Sequence, residues 1–232
     1  LLYKMYCRTV GKSICSEMRV DFKQKFKEYI AKGIDEKLLN PKLKEFDLDK
    51  IADALDTRRD FLFLFLGLQT LYDRYLLRER KSEEVFELPQ WMWMRVAMGL
   101  ALQEQDKEGY AIKFYDVLSK MLLVSSTPTL FNSGTTHSQM SSCYLNTVDD
   151  SITGIFKIYA DCANLSKWAG GIGTDWTPVR AKNSRIFATN GRSQGIIPFI
   201  KIYNDVALAV NQGGKRRGAM AAYLEVWHKD ID

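Results

Sequence analysis

Beyond Val124 the sequence stops repeating with a helical period and alternates short extended runs with helices, which restricts that part of the chain to an α/β arrangement. Cys143 to Val148 reads as a strand, and Ile152 to Trp168 as a helix whose start is capped by Asp150 and Ser151. Ala169 to Gly173 (AGGIG) breaks that helix, and an extended piece then reaches Arg180. A polar loop, Ala181 to Gln194, leads to a helix opened by Pro198. Asn211 to Gly218 (NQGGKRRG) is a second glycine-rich, basic loop, and AMAAYLEVW returns to strand. In strand, helix, strand, helix, strand order the crossovers favour parallel pairing, and ligands are expected at the carboxyl ends of the strands.

The upstream part is a helical layer. Asp21 to Ala31 places Phe22, Phe26 and Ile30 four apart on one stripe, with Gly33 ending the helix and Asn40-Pro41 marking a turn. Asp47 to Leu55 forms a short helix. Thr57 or Asp60 caps a third, running through FLFLFLGLQTLYDRYLL to about Arg78, with its first half apolar on every side and therefore buried. Pro89 opens WMWMRVAMGLALQ, where Trp91 and Trp93 are core residues, and Gly109 to Val124 aligns Ile112, Tyr115, Leu118 and Leu122. The domains expected are a helical stretch 1–20, a helical domain 21–124, and an α/β part 125–232.

Composition narrows the function classes. Hydrophobic residues make up 46% of the 232 and aromatics 12%, enough to bury a core and unlike a disordered chain. The charge of +5 suits an anionic small ligand but falls short of a nucleic-acid binder. The longest apolar run, FLFLFLGL, is far below the roughly twenty residues that cross a bilayer. No signal-peptide pattern opens the chain, and a first residue Leu1 suggests that sequence precedes it. Four cysteines (Cys7, Cys15, Cys143 and Cys162) show no CxxC or disulfide-framework spacing, which favours a reducing, cytoplasmic setting. His137 and His228 lack companions at metal-ligand spacing, and His228 reads as a structural hydrogen-bonder.

Candidate chemistry concentrates between Ser125 and Ser151, a polar turn-rich loop narrowing to Cys143. The strand would carry this thiol toward the interior, with Thr127, Ser141 and Ser142 nearby in sequence. On spacing alone a strand cysteine is more often an inert core thiol than a catalyst, and Asp149-Asp150-Ser151 more often a plain helix cap. Cys162, on an apolar helix face, is an inert thiol. Were a nucleotide bound here, a carboxylate would take a sugar hydroxyl, and phosphates would lie toward Lys167, Arg180, Lys182, Arg185 and Arg192. The AGGIG turn is not a dinucleotide fingerprint and serves either tight packing or ligand contact, while GGKRRG is not a P-loop and is either a ligand-reaching loop or an exposed basic turn.

Seven ordered motifs nonetheless match one family together: STPTLFNSGT (Ser126–Thr135), SSCYL (Ser141–Leu145), DDSI (Asp149–Ile152), KWAGGIG (Lys167–Gly173), VRAKNS through TNGRSQG (Val179–Gly195), NQGGKRRGA (Asn211–Ala219) and LEVWHKDI (Leu224–Ile231). With these the chain resembles the large, catalytic subunit of ribonucleotide reductases, class I-like. The resemblance implies the trailing edge of an N-terminal ATP-cone region over 1–20, then a helical layer followed by the first strands and helices of a ten-stranded α/β barrel. It implies that Cys143 is one thiol of a redox pair whose partner lies beyond Asp232, and that Thr127, Ser142, Gly170 and Gly171 hold substrate. It places a specificity effector, a deoxynucleoside triphosphate or ATP, on Asp150, Ser151, Ile152, Arg180, Ile186 and Arg192. Lys167 would reach that site from the partner subunit of a homodimer. Gln212, Arg216 and Arg217 would pass the effector's identity to the substrate base.

No cofactor is expected on this chain itself. The radical would come from a separate metal-containing small subunit, and reducing equivalents from thioredoxin or glutaredoxin. The radical-bearing cysteine, its Asn-x-Cys-x-Glu segment and the second redox cysteine do not occur in the sequence, so the chain is expected to be the first third to half of a catalytic subunit and inactive alone. Two readings stay open beside this one: a non-catalytic nucleotide-binding and dimerisation module, and a cobalamin-dependent relative.

Overall fold

The computed structural model describes residues 1–9, 18–167, 170–210 and 219–232, with 18–21 as backbone only. They form two compact units, Leu1–Met140 and Ser141–Asp232. The expected division at Val124/Ser125 thus falls later. The reason lies in the helical unit: residues 126–140 are bonded into it, through Asn40 N to Gly134 O (3.0 Å), Thr136 N to Leu38 O (3.1 Å) and the Arg95 guanidinium to Ser133 O (2.7 Å).

The helical unit contains α1 (Leu2–Thr9), α2 (Met18–Asp35), α3 (Leu48–Asp53), α4 (Phe65–Arg74), α5 (Pro89–Ala101), α6 (Lys107–Ser119) and α7 (Thr127–Asn132), with 3₁₀ turns at Pro41–Glu45 and Thr57–Leu62. Its centre is α5, which has no polar face: residues Pro89 to Met98 are all buried. Trp91 packs against the rings of Phe22, Phe26 and Tyr29 at centroid distances of 5.5, 6.3 and 5.1 Å. Full burial of each such large apolar side chain favours folding by about 1.5–3 kcal/mol, and it is the Phe22/Phe26/Ile30 stripe that lets α2 cover α5.

Several helical expectations are corrected. Gly33 lies inside α2, where a Cβ would sit 2.5 Å from Leu39 Cδ1, so it permits close packing and does not end the helix. Leu122 lies past the end of α6 and is exposed. The FLFLFLGL run is not one buried helix. Asp56 caps a 3₁₀ turn, Phe63 is extended, and the α-helix restarts at Phe65, leaving Phe61, Leu64, Phe65 and Leu66 74, 82, 73 and 76% exposed. The turn is tightened by Asp60, drawn inward to accept hydrogen bonds from Tyr6 Oη and from Gln90 Nε2 (2.7 Å). The stretch before Cys143, expected as loop, holds the short helix α7.

Asp60 carries a consequence for pH. Burial pushes its carboxyl up from 3.8 to about 6, although the bonds from Tyr6 and Gln90 pull the other way. A folded-state value above the unfolded one means that the folded protein binds the extra proton between about pH 4 and 6. Stability of the helical unit therefore falls as pH rises through that window, by about 3 kcal/mol in all, and is flat above it. Asp60→Asn is expected to flatten this part of a melting-temperature profile; an unchanged profile would assign the slope elsewhere.

The second unit follows the predicted order: β1 (Cys143–Thr147), α8 (Ile152–Lys167), β2 (Gly171–Asp175), a small hairpin of β3 (Arg185–Ile186) and β4 (Gly191–Arg192), α9 (Ile197–Ala209) and β5 (Met220–Tyr223). The sheet order is β1-β2-β5, both pairs parallel, with Cys143 opposite Gly171 and Gly173 opposite Ala221. It is an open sheet among the described residues. One face packs on α8 and α9 through Ile155, Ile158, Tyr159, Cys162, Ile172, Trp176 and Tyr203. Glycines 171 and 173, expected in a turn, belong to the central strand, and the loop Ala181–Gln194 closes on the unpredicted hairpin.

Candidate functional site

Cys143 is the first residue of β1, and strand alternation decides its surroundings. Tyr144 and Asn146 turn toward α8 and are partly covered, whereas Cys143, Leu145 and Thr147 are exposed on the other face. The thiol thus does not point into the packed interior as expected; it opens on a groove of about 510 Å³ lined by Cys143, Leu145, Gly171, Gly173, Leu208 and Tyr223. Ser142 Oγ donates to its sulfur at 3.8 Å, and Gly171 N donates to Ser142 O at 2.8 Å. Opposite the thiol, glycine leaves space: a Cβ on Gly171 would stand 3.8 Å from Cys143 Sγ. At Gly170 a Cβ would meet the Tyr144 ring at 2.7 Å, so that position must stay small.

Cys162 is on the other face of the sheet. It is fully buried, accepts from Asn146 Nδ2 at 3.4 Å and lies 3.8 Å from Thr174 Oγ1, itself 2.7 Å from Tyr203 Oη. The inert reading of this thiol matches its surroundings. Cys143 and Cys162 cannot pair across the sheet that separates them.

At the carboxyl end of the same sheet the chain builds a different arrangement. Ser151, not Asp150, caps α8: its Oγ accepts from Gly154 N at 3.0 Å. Both oxygens of Asp150 instead accept from Arg180 Nε, at 3.0 and 2.8 Å, and Arg180 Nη2 reaches Asp150 O. The pair is about one third exposed on each side, so each carboxylate oxygen keeps a lone pair for another donor. From Arg180 the chain runs into the hairpin, which presents Arg185 and Arg192 opposite each other and holds Ile186 half-buried. Arg192 donates to Asn183 O (3.0 Å) and Arg185 to Asn190 Oδ1 (3.0 Å).

One residue absent from the sequence-based assignments closes this loop. The Asp230 carboxylate accepts from Lys182 N (2.9 and 3.1 Å) and from Ile196 N (3.1 Å). Its own amide donates to His228 Nδ1 (3.1 Å), while His228 Nε2 donates to Val179 O (2.8 Å), which bears out the structural role read for His228. The LEVWHKDI motif contained the signal; spacing alone gave Asp230 no partner.

The predicted residues therefore fall into separate groups. Ser142, Cys143, Gly170 and Gly171 gather at the amino end of the parallel sheet. Asp150, Ser151, Arg180, Ile186 and Arg192 gather at the carboxyl end, about 16 Å away for five residues of strand. Ile152 is exposed at the start of α8, and Lys167 closes that helix of 16 residues, about 24 Å from its start. Thr127 begins α7 in the helical unit, its hydroxyl 3.3 Å from Tyr75 Oη. Gln212, Arg216 and Arg217 lie outside the described residues. Among the described residues no three His, Cys, Asp or Glu side chains gather as a metal site.

The chain thus holds a helical unit and, in its second unit, an open parallel sheet with a thiol at one end and the Asp150–Arg180 pair at the other. Residues 61–138 match the all-alpha domain of ribonucleotide reductase and residues 141–232 match its barrel domain, and the chain belongs to that family. It is 56% identical to the ribonucleoside-diphosphate reductase subunit alpha of Chlamydia trachomatis over 100% of this chain and 22% of that protein. The subunit alpha of Helicobacter pylori is 45% identical over 99% of this chain and 28% of its own length. The large subunit of Monkeypox virus is 46% identical over 79% and 23%. The chain thus spans 22 to 28% of these three relatives, less than the third to half expected.

Proposed function

We propose that this chain forms part of the catalytic subunit of a class I-like ribonucleoside-diphosphate reductase, supplying the first redox thiol and the specificity-effector frame. The observation that carries this reading is Cys143: a free thiol on the open face of a parallel sheet, beside a serine hydroxyl and opposite a glycine. Reduction replaces the C2′–OH bond of the ribose by C2′–H and releases water. The two electrons come from two thiols, which lose their protons and close to a disulfide. Cys143 is one of them; the second is supplied by another part of the subunit. Ser142 and the Gly170-Gly171 backbone hold the ribonucleotide.

The radical arises on a separate metal-containing small subunit, while this chain's residues position substrate and supply electrons. Catalytic subunits pair as a homodimer through α8, with Lys167 reaching the partner's effector, and thioredoxin or glutaredoxin restores the thiols. A cytoplasmic location fits free cysteines, and no described helix is long and apolar enough to cross a membrane. Substituting Cys143 in the complete subunit tests the reductase reading.

The effector part is tested separately. Asp150 takes the sugar of a deoxynucleoside triphosphate, and Arg180, Lys182, Arg185 and Arg192 face its phosphates. Asp150→Ala in the complete subunit is expected to weaken deoxythymidine triphosphate binding about tenfold or more, since a hydrogen bond to a charged group and the pairing of Arg180 are both lost. Unaltered affinity by calorimetry would remove Asp150 from the site.

A further inference from the structure

We propose that Asp230 is the positioning residue of the effector frame: its single carboxylate fixes both feet of the Lys182–Gly195 loop, and through His228 the same turn fixes the segment that carries Arg180. This rests on the effector reading of that loop and adds to it a residue that touches no ligand. The geometry is specific. Two backbone amides 14 positions apart, Lys182 N and Ile196 N, converge on one carboxylate. Between them the loop is laddered by Asn183 N to Ser193 O and Ser193 N to Ser184 O, both 2.9 Å. The convergence leaves no room for a side chain at Gly195, which has φ +79° and whose Cβ would lie 2.3 Å from Asp230 Oδ2 and 2.9 Å from Lys182 N.

His228 extends the same clamp. A carbonyl only accepts, so Nε2 carries the proton donated to Val179 O, and Nδ1 is left to accept from Asp230 N. Glu225 N donates to Thr177 Oγ1 (3.1 Å), a further tie between the turn after β5 and the turn after β2. The turn 225–230 thereby sets Val179, next to Arg180, and the base of the hairpin bearing Arg185, Ile186 and Arg192. Removing the carboxylate leaves two converging amides without an acceptor, and the cheapest relief is for the loop's feet to separate. The cationic hairpin then loses its fixed place relative to the Asp150–Arg180 pair, although no ligand-facing group has changed.

The test uses the complete subunit with deoxythymidine triphosphate as probe, comparing Asp230→Ala, Asp230→Asn and Asp150→Ala. Asp230→Ala is expected to raise the effector dissociation constant about tenfold or more. The amides of Lys182 and Ile196 should lose hydrogen-exchange protection, while the dissociation constant for ribonucleoside diphosphate stays unchanged. Asp230→Asn, which keeps one carbonyl acceptor, should fall between parent and alanine variant. If Asp150→Ala weakens the effector and Asp230→Ala leaves it within about twofold, the site stands and Asp230 does not position it. Equal losses of effector and substrate affinity in Asp230→Ala would make it a general structural residue and overturn the proposal. If neither variant alters effector binding, the loop is not an effector site, and this inference falls with that reading.

Discussion

Cys143→Ser in the complete subunit is expected to lower ribonucleotide reduction by at least about three orders of magnitude while ribonucleoside diphosphate binding is retained. Serine keeps the size and the polar contact with Ser142, but an alcohol cannot give up an electron pair to form the sulfur–sulfur bond that balances the loss of water from the ribose. The internal control is Cys162→Ser. That thiol is buried under the sheet against Asn146 and Thr174, on the face opposite Cys143, and its substitution should cost stability and leave the chemistry intact. Turnover by the purified subunit with its small subunit and a dithiol reductant, read beside substrate binding, decides the matter. Unchanged turnover in Cys143→Ser would sink the reductase reading of this thiol.

The largest stability effect is expected at Arg95. Arg95 and Glu87 are both fully buried and paired, with Nε to Oε1 at 2.7 Å and Nη2 to Oε2 at 3.2 Å. The guanidinium also donates to Ser133 O and Leu130 O, at 2.7 and 3.2 Å, around the end of α7, and Glu87 accepts from Leu77 N at 3.0 Å and Tyr29 Oη at 2.5 Å. Arg95→Met removes the cation, leaves a buried carboxylate with no counter-ion and orphans those carbonyls, so the helical unit should lose about 3–5 kcal/mol. Replacing both partners, Glu87→Leu with Arg95→Met, should cost less than the sum of the single changes, because no unpaired charge remains. Denaturant unfolding of the four proteins measures this; a loss below about 1 kcal/mol for Arg95→Met would mean that water relieves the site.

Arg95 also shows why part of the fold was not legible in advance. In the sequence it interrupts an apolar run, WMWMRVAMGL, and gives no hint that its partners are a carboxylate eight positions back and carbonyls more than thirty positions on. The FLFLFLGL stretch failed in the opposite direction. Its composition demanded burial, but Asp60 is held inside by Tyr6 and Gln90, the turn tightens to 3₁₀, and most of those side chains face outward. The candidate site divided in the same way. The strand at Cys143, the helix after Ser151 and the parallel crossovers were readable because each leaves a local period. That Asp150 would serve Arg180, 30 positions away, and leave the capping to Ser151 was not.

By itself the sequence determined the order of the main strands and helices after Cys143 and that the three main strands run parallel, because burial of one face imposes a short-range repeat and crossover geometry follows from chain chirality. It also determined the family, since seven motifs in fixed order carry more information than any one of them. Only the tertiary structure decided which face of the sheet α8 and α9 cover, and hence that Cys143 opens on a groove while Cys162 is sealed. Only it brought Asp230 to the amides of Lys182 and Ile196. Alternation says that neighbouring side chains point opposite ways, but not which way is inside, and a hydrogen bond between residues distant in sequence leaves no periodic trace.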